Sequence, residues 1–316
     1  MEIGYHASHE QFSPSRLLRM AVLAEQAGFD AILSSDHLAP WSRQQGESGY
    51  AWSWLGAALA ATSLPAGVVT APGDRYHPAV VAQAVATLAE MFPGRILPAL
   101  GSGQALNEHV TGAPWPPKEV RNRRLAECAS VIRRLLAGEE VTHHGLVTVD
   151  RARVWSLPSV PPPLLAAALT PATAREVAGW ADGLITVNAP PTKLRAVLDA
   201  FREGGGDGKP VHVQAHLSWA PTRDEAERRA MECWRTNTLP PPLTEDLPLP
   251  EEIAAAAEHV SIDDLRSSVW IETDLQWYVE ALASYEELGI ARVYLHHVGP
   301  EQERFVEVFG ERVLPG

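Results

Sequence analysis

Short apolar runs with strand character alternate with amphipathic helical stretches eight times along these 316 residues, and no other feature constrains the fold as tightly. Residues 2–7 (Glu-Ile-Gly-Tyr-His-Ala) open the series; Ser13-Pro14 then starts a helix with a cap and a proline at its first position, and Gly28 ends it. Further strands are expected at 31–35, 66–70, 95–100, 164–168, 183–187, 211–219 and 291–296. Helices are expected at 52–61, 78–91, 117–136, 171–181, 192–202, 222–235 and 274–288, with a short one at the C-terminus. A strand that returns to the same edge through a helix must run parallel to its predecessor. Eight such units predict an α/β chain closed as one (β/α)8 TIM barrel, a single domain over 1–316, rather than an open doubly wound sheet. No Gly-x-Gly-x-x-Gly follows the first strand, which removes the main signature of a dinucleotide-binding sheet. Two segments interrupt the alternation. At about 138–163, after strand four, Val141 to Gly145 and Leu146 to Val149 read as a small β-hairpin or an extended excursion; at about 237–262, after strand seven, an acidic, proline-spaced insertion is expected.

Charge narrows the partners. The chain carries 26 basic against 39 acidic residues, a net −13, and has no basic run, so nucleic acid and anionic lipid are disfavoured. A hydrophobic fraction of 46% supports a large core, while no apolar run approaches the ~20 residues of a membrane span. No signal peptide is evident, and Cys128 and Cys233 lie far apart in helical stretches; both points predict a cytoplasmic protein with free thiols. His143-His144 and His296-His297 are adjacent pairs, and neighbouring strand residues point to opposite faces, so no metal site is expected.

In a barrel of this kind, side chains at the C-terminal ends of strands face the ligand-binding mouth. Three such ends carry chemistry. Ile32-Leu33-Ser34-Ser35 runs into Asp36-His37, with Pro40-Trp41 after it: an acid, an imidazole able to act as general acid or base and an aromatic wall. The same residues would also serve as a helix cap and a loop-satisfied histidine. Gly101-Ser102-Gly103-Gln104-Ala105-Leu106-Asn107-Glu108 follows strand four, and its glycines let a flat or anionic ligand approach the backbone while Gln104 and Asn107 offer donors and acceptors. A tight strand-to-helix turn would use the same types. After strand three comes Ala71 to Pro78, in which Arg75 is expected in a structural ion pair. His6 and His296 are candidates to line the mouth as single residues, and Trp41 and Trp115 to wall a planar cofactor.

Taken together these motifs resemble the luciferase-like flavin and deazaflavin oxidoreductases, and within them the F420-dependent glucose-6-phosphate dehydrogenases. The matching pieces are Ala7 to Phe12, Ser35-Asp36-His37 with Pro40-Trp41, Arg75 to Val80 with Ala82-Gln83, Gly101 to Glu108, and Glu303-Arg304-Phe305 with Phe309. The likeness looks strongest to a side branch of non-F420 flavinoid oxidoreductases. It implies FMN or coenzyme F420 as cofactor, a small-molecule substrate and a homodimer. It implies that His37 and Trp41 are catalytic, with Gln104 standing where the sugar-phosphate dehydrogenases carry a catalytic glutamate. It further implies cofactor contacts at Asp36, Val68, Val69, Ala71, Ser102, Gly103, Asn107, Leu169, Thr170, Ala172 and Thr173, with a non-proline cis peptide in a bulge at Val68-Val69. Lys193 and His296 are the substrate-side candidates. Two departures from the family pattern stand out: an amide at 104 holds a hydrogen bond but exchanges no proton near neutral pH, and Leu169-Thr170 replaces a Gly-Gly pair. With basic residues so thin, glucose 6-phosphate is disfavoured as substrate. The alternatives are an FMNH2-dependent monooxygenase fed by a separate flavin reductase, or a catalytically silent flavin-binding relative.

Overall fold

The computed structural model describes residues 1–314. Strands β1 (Glu2–Ala7), β2 (Ala31–Ser35), β3 (Ala66–Thr70) and β4 (Ile96–Leu100) alternate with helices α1 (Pro14–Gln26), α2 (Ala51–Ala61) and α3 (Pro78–Met91). After β4 come a short α4 (Ala105–Glu108), the long α5 (Lys118–Leu136) and a hairpin of β5 (Val141–His144) and β6 (Thr148–Ala152). The alternation resumes with β7 (Leu165–Ala167), α6 (Pro171–Val177), β8 (Gly183–Val187), α7 (Pro191–Phe201), β9 (Val211–Trp219) and α8 (Arg223–Trp234). Three short helices follow: α9 (Pro241–Asp246), α10 (Pro250–Ala256) and α11 (Ile262–Arg266). The chain ends with β10 (Trp270–Glu272), α12 (Leu275–Glu287), β11 (Arg292–His297) and α13 (Gln302–Arg312).

Eight strands close on themselves in the order β1-β2-β3-β4-β7-β8-β9-β11, every neighbour parallel, with β11 returning to β1. This is the (β/α)8 barrel that the alternation predicts. Its lumen is filled by Ala31, Leu33, Ala99, Leu165, Ile185 and Tyr294, with Val69 and Ala167 above them, while the outward residues of the same strands pack under the helices. Tyr294 fits because Gly4 lies across from it: a Cβ at position 4 would stand 2.5 Å from the Tyr294 ring. Val68 and Val69 divide by the period of the strand; Val68 is buried against the helices and only Val69 faces inward. The cis bond expected at this pair is absent. Among the described residues every peptide is trans, and β3 pairs in unbroken register with both neighbours.

The two interruptions differ from each other. The first is the expected antiparallel hairpin, reached through α5 and held to it by Glu127, which accepts from His143 Nε2 (2.9 Å) and from Leu146 N (2.7 Å). The second folds as three helices rather than an irregular loop, because its prolines sit at helix starts (Pro241, Pro250) and Ser261 with Asp264 makes a capping box. Ile253 of α10 packs on Trp41 and Leu106, which sets this helical segment over the C-terminal mouth. The three-residue β10, paired to the upper end of β9, is an element that sequence reading did not anticipate. The helix expected over 171–181 ends at Val177. Both cysteines are free, and no described helix is long and apolar enough to cross a membrane.

Candidate functional site

Two cavities open at the C-terminal ends of the strands and share a wall made of Asp36, His37, Val69, Gln104, Leu169 and Thr244. The outer arm, about 210 Å³, runs over the ends of β3, β4 and β7. The inner arm, about 240 Å³, reaches over β1, β8 and β9 under Trp41 and Trp234.

His37 stands at the junction. Its ring lies 5.2 Å from the Trp41 ring, and its Nε2 is 3.3 Å from Glu10 Oε1. Glu10 is buried, yet its carboxylate accepts from Ser35 Oγ (2.6 Å) and Ser8 Oγ (3.0 Å). Burial opposes its charge, but the His37 imidazole and the Ser35 hydroxyl outweigh that effect and hold its pKa below the usual carboxylate range. On the other edge of the ring, Asn107 Nδ2 lies 3.2 Å from His37 Nδ1.

Asp36 is fully engaged by protein groups. Thr70 Oγ1 (2.7 Å) and Tyr76 OH (3.1 Å) donate to its carboxylate, and Arg75 Nη2 approaches it to 3.3 Å while also donating to the Asp36 carbonyl (3.0 Å). Arg75 is therefore the structural ion pair that its position predicts. Beside it, Glu108 accepts the Arg75 backbone N–H at 2.7 Å, its other oxygen has no hydrogen bond and stands 3.8 Å from Arg75 Nε, and burial pushes its carboxyl up to about 7.

The outer arm combines a low glycine shelf with hydroxyl side chains, one lysine and the carboxylates of Asp36, Glu108 and Glu245. Gly103 has φ +82°, and a Cβ there would stand 3.2 Å from Glu108 Cγ, so glycine keeps this shelf low. Ala71, Gly101, Ser102, Leu169, Thr170 and Thr173 complete the walls, and Lys118 is the one cation among the described lining residues. Lys118 Nζ donates to Ser102 Oγ (3.0 Å) and to Glu245 Oε1 (3.0 Å). Glu245 also pairs with Arg121, and Asp246 accepts from Arg121 (3.0 Å) and Trp115 Nε1 (2.9 Å), so α9 is tied to the rim by two carboxylates. A slot with a glycine shelf, five hydroxyl side chains and one lysine fits a tricyclic ring that bears a phosphate-containing tail.

No lysine or arginine lies among the described residues of the inner arm. His6, Gln214 and His216 stand together there, with Gln214 Nε2 3.4 Å from His6 Nε2 and 3.2 Å from both His216 Nε2 and His296 Nδ1. Burial lowers His6 to about 3 and His216 to about 4, so both imidazoles stay neutral at physiological pH.

The structure thus brings Asp36, His37, Trp41, Val69, Ala71, Ser102, Gly103, Gln104, Asn107, Leu169, Thr170 and Thr173 to one mouth. Five expected residues are elsewhere. Val68 points into the helix layer. Ala172 is exposed and outside both cavities, as is Lys193 on the first turn of α7. His296 is 1% exposed and lies behind the inner arm, with Nε2 2.9 Å from Gln11 Oε1 and its ring packed by His6 and Trp234. Trp115 stacks under Arg121 at the rim rather than lining either arm. Sequence reading assigned no role to Glu10, Gln214, His216, Lys118 or Glu245. Of these only Gln214-x-His216 had a usable signal, since strand residues two apart share a face.

Residues 1–292 match the family model described as luciferase-like monooxygenase. The chain belongs to this family. It is 36% identical to an F420-dependent glucose-6-phosphate dehydrogenase of Nakamurella multipartita over 100% of this chain and 96% of that one. An enzyme of the same name from Mycobacterium tuberculosis is 31% identical, with 100% and 97% covered. Among solved structures, an F420-dependent secondary alcohol dehydrogenase in complex with an F420-acetone adduct superposes with TM-score 0.91 at 31% identity, covering 99% of this chain and 98% of that one. The luciferase-like protein described here is an oxidoreductase, and its two-armed mouth lies on the barrel face where enzymes of this architecture keep their chemistry.

Proposed function

We propose that this enzyme moves a hydride between coenzyme F420 in the outer arm and a small uncharged alcohol, or the corresponding carbonyl compound, in the inner arm. The observation that carries this reading is the shared wall: His37 and Gln104 border both arms, so a ring in one and a substrate in the other meet beside them. The relatives named as F420-dependent dehydrogenases support the coenzyme, and the neighbour bound to an F420-acetone adduct supports a small carbonyl partner. The absence of any cation from the described inner-arm lining, next to the Glu10 carboxylate, argues against a phosphorylated substrate.

When bound, the coenzyme supplies a two-electron acceptor or donor of hydride. The chain supplies the rest. In the oxidation direction the carbinol C–H bond breaks with its electron pair leaving as hydride, the hydroxyl proton is relayed through His37 Nε2 to Glu10, and a C=O bond forms. Trp41 and Trp234 wall the inner arm against water, and the Gln104 amide holds the substrate oxygen by hydrogen bonding without proton exchange. Ser102, Lys118 and Thr170 would hold the anionic tail.

The test is to mix the purified protein with F420 or FMN and offer secondary alcohols, ketones and glucose 6-phosphate. Loss of the oxidised-deazaflavin absorbance with a neutral secondary alcohol, or its return with a ketone, is the expected result. Turnover with glucose 6-phosphate alone, or binding of FMN and not F420, would contradict the proposal.

A further inference from the structure

We propose that Asn107 sets the tautomer of His37, leaving Nδ1 bare and the proton on Nε2, so that His37 presents an N–H to the inner arm rather than a free lone pair. The argument starts from donors whose identity is certain. The backbone amides of Leu38 and Ala39 lie 2.9 and 3.4 Å from one side-chain atom of Asn107. A backbone N–H can only donate, so that atom is the carboxamide oxygen, and the NH2 group must occupy the other position. This NH2 group faces His37 Nδ1 at 3.2 Å and Gln104 Oε1 at 3.4 Å. A donor aimed at Nδ1 requires a lone pair there, so the neutral ring carries its proton on Nε2, 3.3 Å from Glu10 Oε1. The same amide accepts nothing from Gln104; it turns the Gln104 carbonyl inward and leaves its NH2 for the cavity.

Asn107 is 4% exposed, so solvent cannot substitute for these partners, and turning the amide over would break its bond to Leu38. The other charged groups around the ring do not reach Nδ1 in these contacts. Glu10 meets Nε2, the neighbouring Asp36 is neutralised by Arg75, Thr70 and Tyr76, and His6 and His9 are buried. His37 and Gln104 therefore both offer donors to the substrate oxygen, an arrangement that favours an oxygen gaining negative charge, as a carbonyl does when hydride arrives. Asn107 acts here as a positioning residue. The catalytic meaning of this inference rests on the proposed function, whereas its test needs neither coenzyme nor substrate, so the two can fail separately.

Nitrogen-15 spectra of histidine-labelled protein, with His37 assigned by loss of its signals in His37→Gln, read the tautomer directly. In its neutral form, the parent should show a bare Nδ1 and a protonated Nε2. Asn107→Asp replaces the donor by an acceptor and should move the neutral proton to Nδ1. Asn107→Leu, which has neither, should give a mixture of the two forms. A parent already protonated at Nδ1, or a tautomer unchanged in both variants, would overturn the proposal; a purely structural Asn107 predicts the latter whatever happens to stability.

Discussion

The outer and inner arms of the mouth share a wall but offer opposite electrostatics. The outer arm has a lysine, hydroxyls and a glycine shelf; of its three carboxylates, Asp36 is tied up by Arg75 and two hydroxyls and Glu245 by Lys118 and Arg121, while burial pushes Glu108 up to about 7. The inner arm has a buried carboxylate, neutral histidines and no cation among its described lining residues. Under the proposed function, an anionic tail and a neutral substrate would be sorted to different sides of His37 before any chemistry occurs. The sorting is a matter of which charges the barrel leaves without partners, since both arms are comparably small and both have apolar walls.

The junction gives the largest expected effect. His37→Ala should lower turnover about 100- to 10,000-fold while coenzyme affinity changes little; equal losses in both would erase the distinction between a reacting group and a binding one. Next comes the outer arm's buried acid. Glu108 has its folded pKa raised to about 7 by burial, so the native state keeps its proton after the unfolded chain has lost it. It costs nothing below the unfolded value near 4.5 and penalises the fold progressively as pH rises toward 7. Glu108→Gln should therefore leave stability unchanged at pH 4 and raise it by up to about 3 kcal/mol above pH 7, measured by denaturant titration at both pH values. Smaller effects separate the arms themselves. Lys118→Ala should weaken coenzyme binding about tenfold, more at low salt, without altering the affinity for a neutral substrate. Asn237→Lys, which adds a cation to the inner arm, should improve binding of a phosphorylated substrate analogue about fivefold and leave the coenzyme unaffected. If the two lysine variants exchanged their effects, the assignment of the arms would be reversed.

Much of the outer arm was legible in the sequence because it is made of contiguous runs. Gly101 to Glu108 and Asp36-His37 each leave one strand end, so the barrel topology alone delivers them to one place. The inner arm was less so, since it draws His6 from β1, Gln214 and His216 from β9 and Trp234 from the end of α8, and only the two-residue step from Gln214 to His216 ties any of these together. Glu10 sat inside a quoted motif, but its role depends on Ser35, twenty-five positions away on a neighbouring strand. The misplacement of Val68 came from treating Val68-Val69 as a unit where strand alternation lets only one face the lumen. His296 was misjudged because an inward-facing histidine can sit beneath a cavity as well as beside it. The helical insertion could have been read from Pro241, Pro250 and the Ser261–Asp264 box, whereas the three residues of β10 are too few to show a period.

A structure of the protein with F420 bound, and a small ketone added, tests the division of the mouth most directly. The account predicts the ring between Val69 and Leu169, its tail phosphate at Lys118, and the ketone oxygen within hydrogen-bonding distance of His37 Nε2 in the inner arm. A tail that entered the inner arm, or a ring bound away from His37, would contradict it.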